Sequence, residues 1–146
     1  MQAIDKVTTV TIAVEDQDEA LIWYTEKLGF EKRTDNSANG IRWLTVAPSQ
    51  QIDVEFLLAS WFPSHVGKNA TWFISTRDCA KAYEELSGKG IEFSQKPERR
   101  DYGTEAVFAD LYGNKYALLE SPVGEVADEP YPAMPDEAGA PGTVLA

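Results

Sequence analysis

Side chains that commonly carry chemistry are scarce in this chain, which has one histidine and one cysteine. His65 stands in the stretch SWFPSHVGKNA. We expect a solvated loop residue there, and the alternative is an acid, a base or an unusual metal ligand. Cys79 falls on the apolar stripe of a predicted helix, which favours a core residue over a reactive thiol. A single cysteine also excludes an internal disulfide.

The charge balance narrows the class of partner. The formal net charge is −11, from 24 acidic and 13 basic residues among 146. Phosphate binding needs clustered lysine and arginine, so nucleic acid is not expected as a partner, nor is an anionic membrane surface. The acidity is compatible with a cationic small molecule and equally with ordinary solubility. The sequence shows neither a signal-peptide pattern nor an apolar run of membrane-spanning length, so we expect a cytoplasmic protein.

The body of the chain repeats itself at an offset of 62 residues. VTTVTIAVEDQDEAL, which starts at Val7, aligns with NATWFISTRDCAKAY, which starts at Asn69. VEFLL at 54–58 aligns at the same offset with YALLE at 116–120. In each copy an aspartate, Asp16 or Asp78, precedes a helical apolar pattern and is expected to cap the helix. Two copies of one supersecondary unit explain the pattern most simply.

The pattern predicts the element order β-α-β-β-β in each copy. The predicted strands after the helices lie near 30–35, 41–47 and 52–59 in the first copy, and near 91–95, 105–110 and 115–120 in the second. We therefore predict an α+β fold of two tandem modules, 4–61 and 69–121. Residues 122–146 are acidic and rich in proline and alanine, and we expect a solvated tail there, or an arm lying along a partner subunit.

The first strand has two distinct faces. Val10, Ile12 and Val14 alternate with Thr9, Thr11 and Ala13. The first set is typical of a face that packs on a helix, whereas the second is small and uncharged. A solvent-exposed strand face would normally carry charged side chains. The second face is therefore not expected to be a simple solvent-exposed surface.

Three stretches carry a resemblance to a known family. They are VTIAVEDQDEALIWYTEKLGF, DCAKAYEELSGKGIEF and YGTEAVFADLYGNKYALLE. They resemble the vicinal oxygen chelate superfamily, which includes glyoxalase I, bleomycin-resistance proteins and extradiol dioxygenases. The resemblance implies that the strands of the two modules curl into a cup with the helices outside and a ligand inside. It also implies a homodimer.

The resemblance locates the family's metal ligands on the first and last strands of each module. The corresponding positions here are Thr9 and Glu55 in the first module, and Thr71 and Ala117 in the second. Alanine has no donor atom, a neutral threonine hydroxyl is a poor ligand, and one carboxylate does not hold a divalent ion usefully. We therefore expect no metal cofactor, with a divalent metal at a non-standard site as the alternative.

Two functions from different classes follow from the resemblance. The first is a metal-free module that binds a small organic molecule, cationic or aromatic, in the cup. The second is an enzyme of lyase, isomerase or dioxygenase type that uses Glu55 as general base or recruits a metal at a non-standard site. A structural or regulatory paralogue that has lost the ligands is a third possibility. Besides Glu55, the expected ligand-contacting residues are Thr9, Thr11, Trp43, Leu57, Thr71, Phe73, Tyr102 and Ala117.

Overall fold

The computed structural model describes residues 3–122 and divides into two compact units after Gly67. Unit 1 comprises residues up to Gly67 and unit 2 the residues from Lys68 onwards. Apart from Pro122, the predicted tail lies outside the described residues. Each unit contains one four-stranded mixed sheet. This confirms the predicted β-α-β-β-β order in both modules.

In unit 1 the sheet order is β1-β4-β3-β2. Its elements are β1 (Thr9–Ala13), α1 (Gln17–Ile22), a π-helical turn (Trp23–Lys27), β2 (Glu31–Ala38), β3 (Ile41–Ala47), β4 (Glu55–Ala59) and a 3-10 turn (Pro63–His65). In unit 2 the order is β5-β8-β7-β6. Its elements are β5 (Trp72–Ser75), α2 (Cys79–Gly88), β6 (Phe93–Arg100), β7 (Gly103–Ala109) and β8 (Lys115–Glu120).

Both helices begin where the aspartates predict. The Asp16 carboxylate accepts a hydrogen bond from the Glu19 N–H at 2.9 Å, and Asp78 accepts one from the Lys81 N–H at 3.0 Å. Each cap satisfies a backbone donor that the first helical turn leaves without an intrahelical partner.

The first helix does not remain a regular α-helix to its end, because α1 passes into the π-helical turn after Ile22. The Thr25 hydroxyl donates to the Leu21 carbonyl at 2.7 Å and competes with the regular backbone ladder. The Leu28 N–H then reaches back five residues, to the Trp23 carbonyl at 3.2 Å. The extra residue per turn makes this a π-helical turn.

The helix-packed face of each sheet carries the core. In unit 1 the ring of Phe56 stacks on Phe30, which in turn contacts Tyr24. In unit 2 the ring of Phe93 lies between Tyr83 of α2 and Phe108 of β7. Strand residues alternate, so the neighbours of these aromatic side chains point the other way. We call the sheet face that points away from the unit's own helix the far face.

The far face of unit 1 matches the prediction for the first strand. Ile12 and Val14 are each 1% exposed on the helix-packed face, whereas Thr11 on the far face is exposed. The far face of unit 1 includes Thr9, Thr11, Ala13, Trp43, Thr45, Glu55, Leu57 and Ala59. The far face of unit 2 includes Phe73, Ser75, Glu105, Val107, Ala117 and Leu119.

Strand pairing corrects the predicted repeat offset of the last strand. In unit 1 Glu55 pairs with Thr9, but in unit 2 Ala117 pairs with Phe73 and not with Thr71. The last strands β4 and β8 therefore correspond at an offset of 60, so the structural counterpart of Glu55 is Lys115. A shift of two residues keeps every side chain on its predicted face, because the strand period is two.

Candidate functional site

Glu55 is the charged residue of the candidate site in unit 1. Its strand β4 runs parallel to β1, and Thr9 stands directly opposite. The Glu55 side chain is half-buried. One carboxylate oxygen, Oε1, accepts a hydrogen bond from the Thr45 hydroxyl at 2.7 Å. Within residues 3–122 the other oxygen, Oε2, has no hydrogen bond and the carboxylate has no ion pair.

The Thr45 hydroxyl is itself fixed from the opposite side. Thr45 is fully buried and pairs with Thr34 on β2. The register of β2 shifts between Lys32 and Thr34, and the Thr34 N–H donates to the Thr45 hydroxyl oxygen at 3.0 Å. The hydroxyl therefore accepts from the backbone and donates to Glu55. Sequence reasoning missed Thr45, because its role depends on an irregularity in the neighbouring strand.

An exposed aromatic side chain shares the far face with Glu55. Trp43 is 43% exposed, which is unusual for so large an apolar ring. Gln17 joins β3, the strand of Trp43, to β4, because its amide donates to the carbonyl oxygens of Arg42 on β3 at 2.9 Å and Leu58 on β4 at 2.7 Å. Of the other predicted contacts in unit 1, Thr9 is half-buried, Thr11 is exposed and Leu57 is 3% exposed.

His65 lies in the short 3-10 turn after β4 and is exposed. Its ring packs edge-on against Phe62 with 6.0 Å between the ring centroids, and Nδ1 lies 3.3 Å from the Ser64 hydroxyl. These local contacts are those of a surface side chain, as expected from its loop position.

In unit 2 the predicted site residues have contrasting surroundings. Phe73 is 41% exposed on β5, and Ala117 beside it is fully buried. Thr71 is half-buried and lies just before β5. Tyr102 is 3% exposed and its hydroxyl donates to Glu105 at 3.0 Å. Burial, with this hydrogen bond as the next cause, raises the pKa of Tyr102 to about 12.

Glu105 is the centre of a buried polar cluster that the sequence did not predict. It is fully buried in the middle of β7 and on the far face. One carboxylate oxygen accepts from the Gln95 amide at 3.3 Å and the Arg100 guanidinium at 3.4 Å, and the other from Tyr102. Arg100 also donates to the Gln95 amide oxygen at 3.1 Å. We call these four residues the Glu105 cluster.

Cys79 is confirmed as a core residue. Its side chain is fully buried, and burial raises the pKa of its thiol to about 11. Its backbone N–H donates to the Glu120 carboxylate at 2.8 Å, which anchors the start of α2 to β8.

The residues at the family's metal positions do not fit a divalent ion. Thr9 and Glu55 are paired across β1 and β4, but in unit 2 neither Ala117, which has no donor atom, nor Lys115, the structural counterpart of Glu55, supplies a carboxylate or an imidazole. Within residues 3–122, no group of three His, Cys, Asp or Glu side chains could hold a metal ion. A half-buried carboxylate flanked by hydroxyl groups is one strong donor, whereas catalytic divalent sites use three or more.

Helices that could cross a bilayer are absent from the part of the chain that the structure describes.

Comparison with known proteins assigns the family. A family model described as the Glyoxalase/Bleomycin resistance protein/Dioxygenase superfamily matches residues 6–118. YurT of Bacillus subtilis (strain 168) is 36% identical over 126 residues, which cover 79% of this chain and 98% of YurT.

Two solved structures are also similar. UcmS2 is 37% identical, with a TM-score of 0.73, over 83% of this chain and all of UcmS2. TnmS3, described as an antibiotic binding protein from Streptomyces sp. CB03234, is 29% identical, with a TM-score of 0.74, over 83% of this chain and 99% of TnmS3. The chain therefore belongs to the Glyoxalase/Bleomycin resistance protein/Dioxygenase superfamily.

Proposed function

We propose that this protein binds a small organic molecule on the far face of its sheets and does so without the family's metal. One observation carries the proposal. The far face of unit 1 presents a carboxylate oxygen without a partner among the described residues, on the same face as the exposed ring of Trp43. A small number of polar groups on a largely apolar surface is the usual composition of a site for an organic ligand.

The composition of the far face supports binding rather than metal chemistry. On this face Thr9, Thr11, Ala13 and Ala59 carry small, uncharged side chains, of which Ala13 and Ala59 are buried. An indole ring stacks on flat aromatic ligands and attracts cations at its face. TnmS3 is described as an antibiotic binding protein, which supports a binding role for this structurally similar chain.

Tryptophan fluorescence tests the binding site directly. Tag-free protein is titrated with aromatic compounds of positive, neutral and negative charge. We expect quenching that is lost in Trp43→Phe and kept in Trp72→Phe, because Trp72 lies on the helix-packed face of unit 2. Quenching that survives Trp43→Phe would contradict this location, and an absence of binding across the compounds would contradict the function.

Metal analysis tests the second half of the proposal. We expect elemental analysis to find no stoichiometric transition metal, and we expect Ni, Zn, Mn and Fe to leave the melting temperature unchanged. A stoichiometric ion, or a large metal-induced rise in melting temperature, would contradict metal-free binding.

An enzymatic function is the second candidate, and the unpaired Glu55 oxygen favours it. A general base needs an oxygen that no other donor occupies, within reach of the substrate proton. Glu55 Oε2 meets the first requirement. Turnover of a bound compound that is abolished in Glu55→Gln, with binding retained, would support catalysis; binding without turnover supports the binding module.

We also propose a cytoplasmic homodimer. The buried, unpaired Cys79 suits a reducing compartment. Three large apolar side chains of unit 1, Ile4, Val7 and Ile52, are 80%, 66% and 82% exposed, and such surface supports an interface between subunits. Light scattering after gel filtration should give twice the chain mass of 16.2 kDa; a monomer mass would contradict the dimer.

A further inference from the structure

We infer that Thr45 is a positioning residue that aims Glu55 Oε2 at a positively charged N–H group of the ligand. The inference rests on the proposed function, and it names the charge class of the ligand and the residue that enforces it. Three observations carry it: the hydrogen-bond chain from Thr34 to Glu55, the burial of Thr45, and the lack of a partner at Oε2.

The hydrogen-bond chain has only one direction. A threonine hydroxyl has one proton to donate and can also accept. Here the Thr34 N–H points at the Thr45 oxygen at 3.0 Å, so the hydroxyl accepts from the backbone. Its one proton is directed to Glu55 Oε1 at 2.7 Å. The register shift in β2 next to Thr34 is what places a backbone donor in that position.

This arrangement fixes one half of the carboxylate. Thr45 is fully buried on β3, so its hydroxyl does not rotate freely towards water. The bond to Oε1 holds the carboxylate plane relative to β3 and β4, and Oε2 is left as the acceptor for something else. Within the described residues no lysine or arginine neutralises Glu55, although the chain offers such pairs elsewhere.

The chemistry of the missing partner follows from what is present. A half-buried carboxylate oxygen binds best to a donor that carries positive charge, because charge-assisted hydrogen bonds are stronger than neutral ones. The exposed Trp43 ring on the same face adds an aromatic surface that also favours cations. The ligand class is therefore an organic ammonium or amidinium joined to an aromatic group, and not a neutral or anionic aromatic compound.

Two probes that differ in one group test the inference. Tryptamine and tryptophol share an indole ring and a two-carbon chain, but the first ends in an ammonium and the second in a hydroxyl. Dissociation constants come from ¹H–¹⁵N NMR titrations of the full chain, and the readout is the ratio of the two constants. We expect tryptamine to bind roughly tenfold more tightly than tryptophol.

Four variants assign the discrimination. Glu55→Gln should reduce the ratio to near one, because the amide keeps the shape and loses the charge. Thr45→Val should reduce the ratio by roughly threefold, because the carboxylate loses its orientation, and Thr45→Ser should restore it. Thr104→Val, the same chemical change on the helix-packed face of β7 in unit 2, should leave the ratio unchanged.

The outcomes separate the inference from the proposed function. Equal binding of both probes by the wild-type protein would overturn the inference and leave the binding function standing. A Thr45→Val variant that weakens both probes equally, or that Thr45→Ser does not rescue, would show a merely structural role. Absence of binding by both probes, while other aromatic compounds still quench Trp43, would overturn the inference alone; absence of binding by all of these compounds would overturn the proposed function. If Thr45→Val does not fold, the Glu55→Gln ratio still decides the charge class.

Discussion

Each unit has one glutamate on the far face of an inner strand, and the two glutamates differ in burial and in hydrogen bonding. Glu55 of unit 1 is half-buried and uses one oxygen for a single hydrogen bond. Glu105 of unit 2 is fully buried, and both of its oxygens accept hydrogen bonds from within its own unit. One repeat therefore keeps a free acceptor at the surface, and the other uses its acceptor internally.

The difference shows how a duplicated fold divides binding and stability between its copies. A buried charge is tolerated only when it is paired and hydrogen-bonded, and Glu105 has Arg100, Tyr102 and Gln95 around it. Because both oxygens of Glu105 already accept hydrogen bonds within its unit, this carboxylate is a poor acceptor for a ligand. Glu55 lacks such a shell, so its removal should matter for binding and little for folding.

The largest effect is expected at the hairpin turns that precede the third strand of each unit. Gly103 has a φ of +138° and is buried, and a Cβ there would collide with the Glu120 carbonyl oxygen. Gly103→Ala should lower the free energy of unfolding by about 3–5 kcal/mol, from backbone strain and overpacking.

Gly40 of unit 1 is the matched control for this change. It follows Asn39 in a turn where both residues have positive φ, and a Cβ there meets nothing within 4 Å. Gly40→Ala should cost only about 1 kcal/mol. Urea unfolding measures both variants, and equal losses would mean that the close approach at Gly103 is not rigid.

The next effect separates the two glutamates. Glu105→Ala leaves the Arg100 guanidinium and the Tyr102 hydroxyl without their acceptor, so we expect a loss of about 2–4 kcal/mol in the free energy of unfolding. Glu55→Ala removes one hydrogen bond from a half-buried group, and about 1 kcal/mol or less should be lost. Equal losses in chemical denaturation would contradict the assignment of stability to one unit and binding to the other.

Alkaline pH provides a smaller effect that is specific to unit 2. The pKa of Tyr102 rises from 10.0 to about 12 on folding, so the folded state holds the proton more tightly than the unfolded state. The stabilisation is fully present below pH 10 and is lost as the pH rises towards 12. We expect Tyr102 to contribute about 1–2 kcal/mol to this alkaline loss.

Tyr102→Phe provides the comparison. The variant should be less stable than the wild-type protein at pH 8, and the gap in the free energy of unfolding should narrow towards pH 11. Absorbance at 295 nm should also lose one late-titrating tyrosine in the variant. A constant gap across this pH range would contradict the raised pKa.

The alternation of polar and apolar residues was enough to predict the fold. It assigned the strands, the helix caps at Asp16 and Asp78 and the two faces of β1, because these depend on local spacing and local hydrogen bonds. The repeat then supplied the order of elements in both modules. The family model and the sheet topology agree with this interpretation.

The register of the last strand could not be predicted in the same way. Aligning VEFLL with YALLE maximised similarity of residue type, but β8 is displaced by two residues relative to that alignment. A displacement of two preserves the face of every residue, so hydrophobic patterning does not detect it. The consequence was that Ala117 was wrongly predicted to be the counterpart of Glu55, a position that Lys115 occupies.

The sequence predicted those site residues whose location depends only on the alternation along their own strand. Glu55, Trp43 and Phe73 lie on the far faces as expected, but their role as ligand contacts stays a prediction. Thr45 acts through a shifted neighbour strand, and Glu105 reads in sequence as an ordinary solvent-facing strand residue. Neither could be recognised without the pairing partners that the fold brings beside them.

The smallest predicted effect concerns the ion pairs of unit 1. Arg42 on β3 binds both oxygens of Asp35 on β2 at 2.9 and 3.0 Å, and it reaches Asp18 of α1 at 2.6 Å. The hydrogen bonds from Arg42 lower the pKa of Asp35. Side-chain exposure is 26% for both Arg42 and Asp35, so water and salt screen the pair much more than the buried Glu105.

Arg42→Ala should therefore cost only about 0.5–1 kcal/mol at low ionic strength, and less when salt is added. Arg100→Ala should cost more and depend less on salt, because it leaves the fully buried Glu105 without its positive partner. Urea unfolding of both variants at low and high salt measures the difference. Equal salt dependence would show that burial does not protect the Arg100–Glu105 pair from screening better than the Arg42 ion pairs are protected. The contrast between the units would then depend only on Glu55 and Glu105.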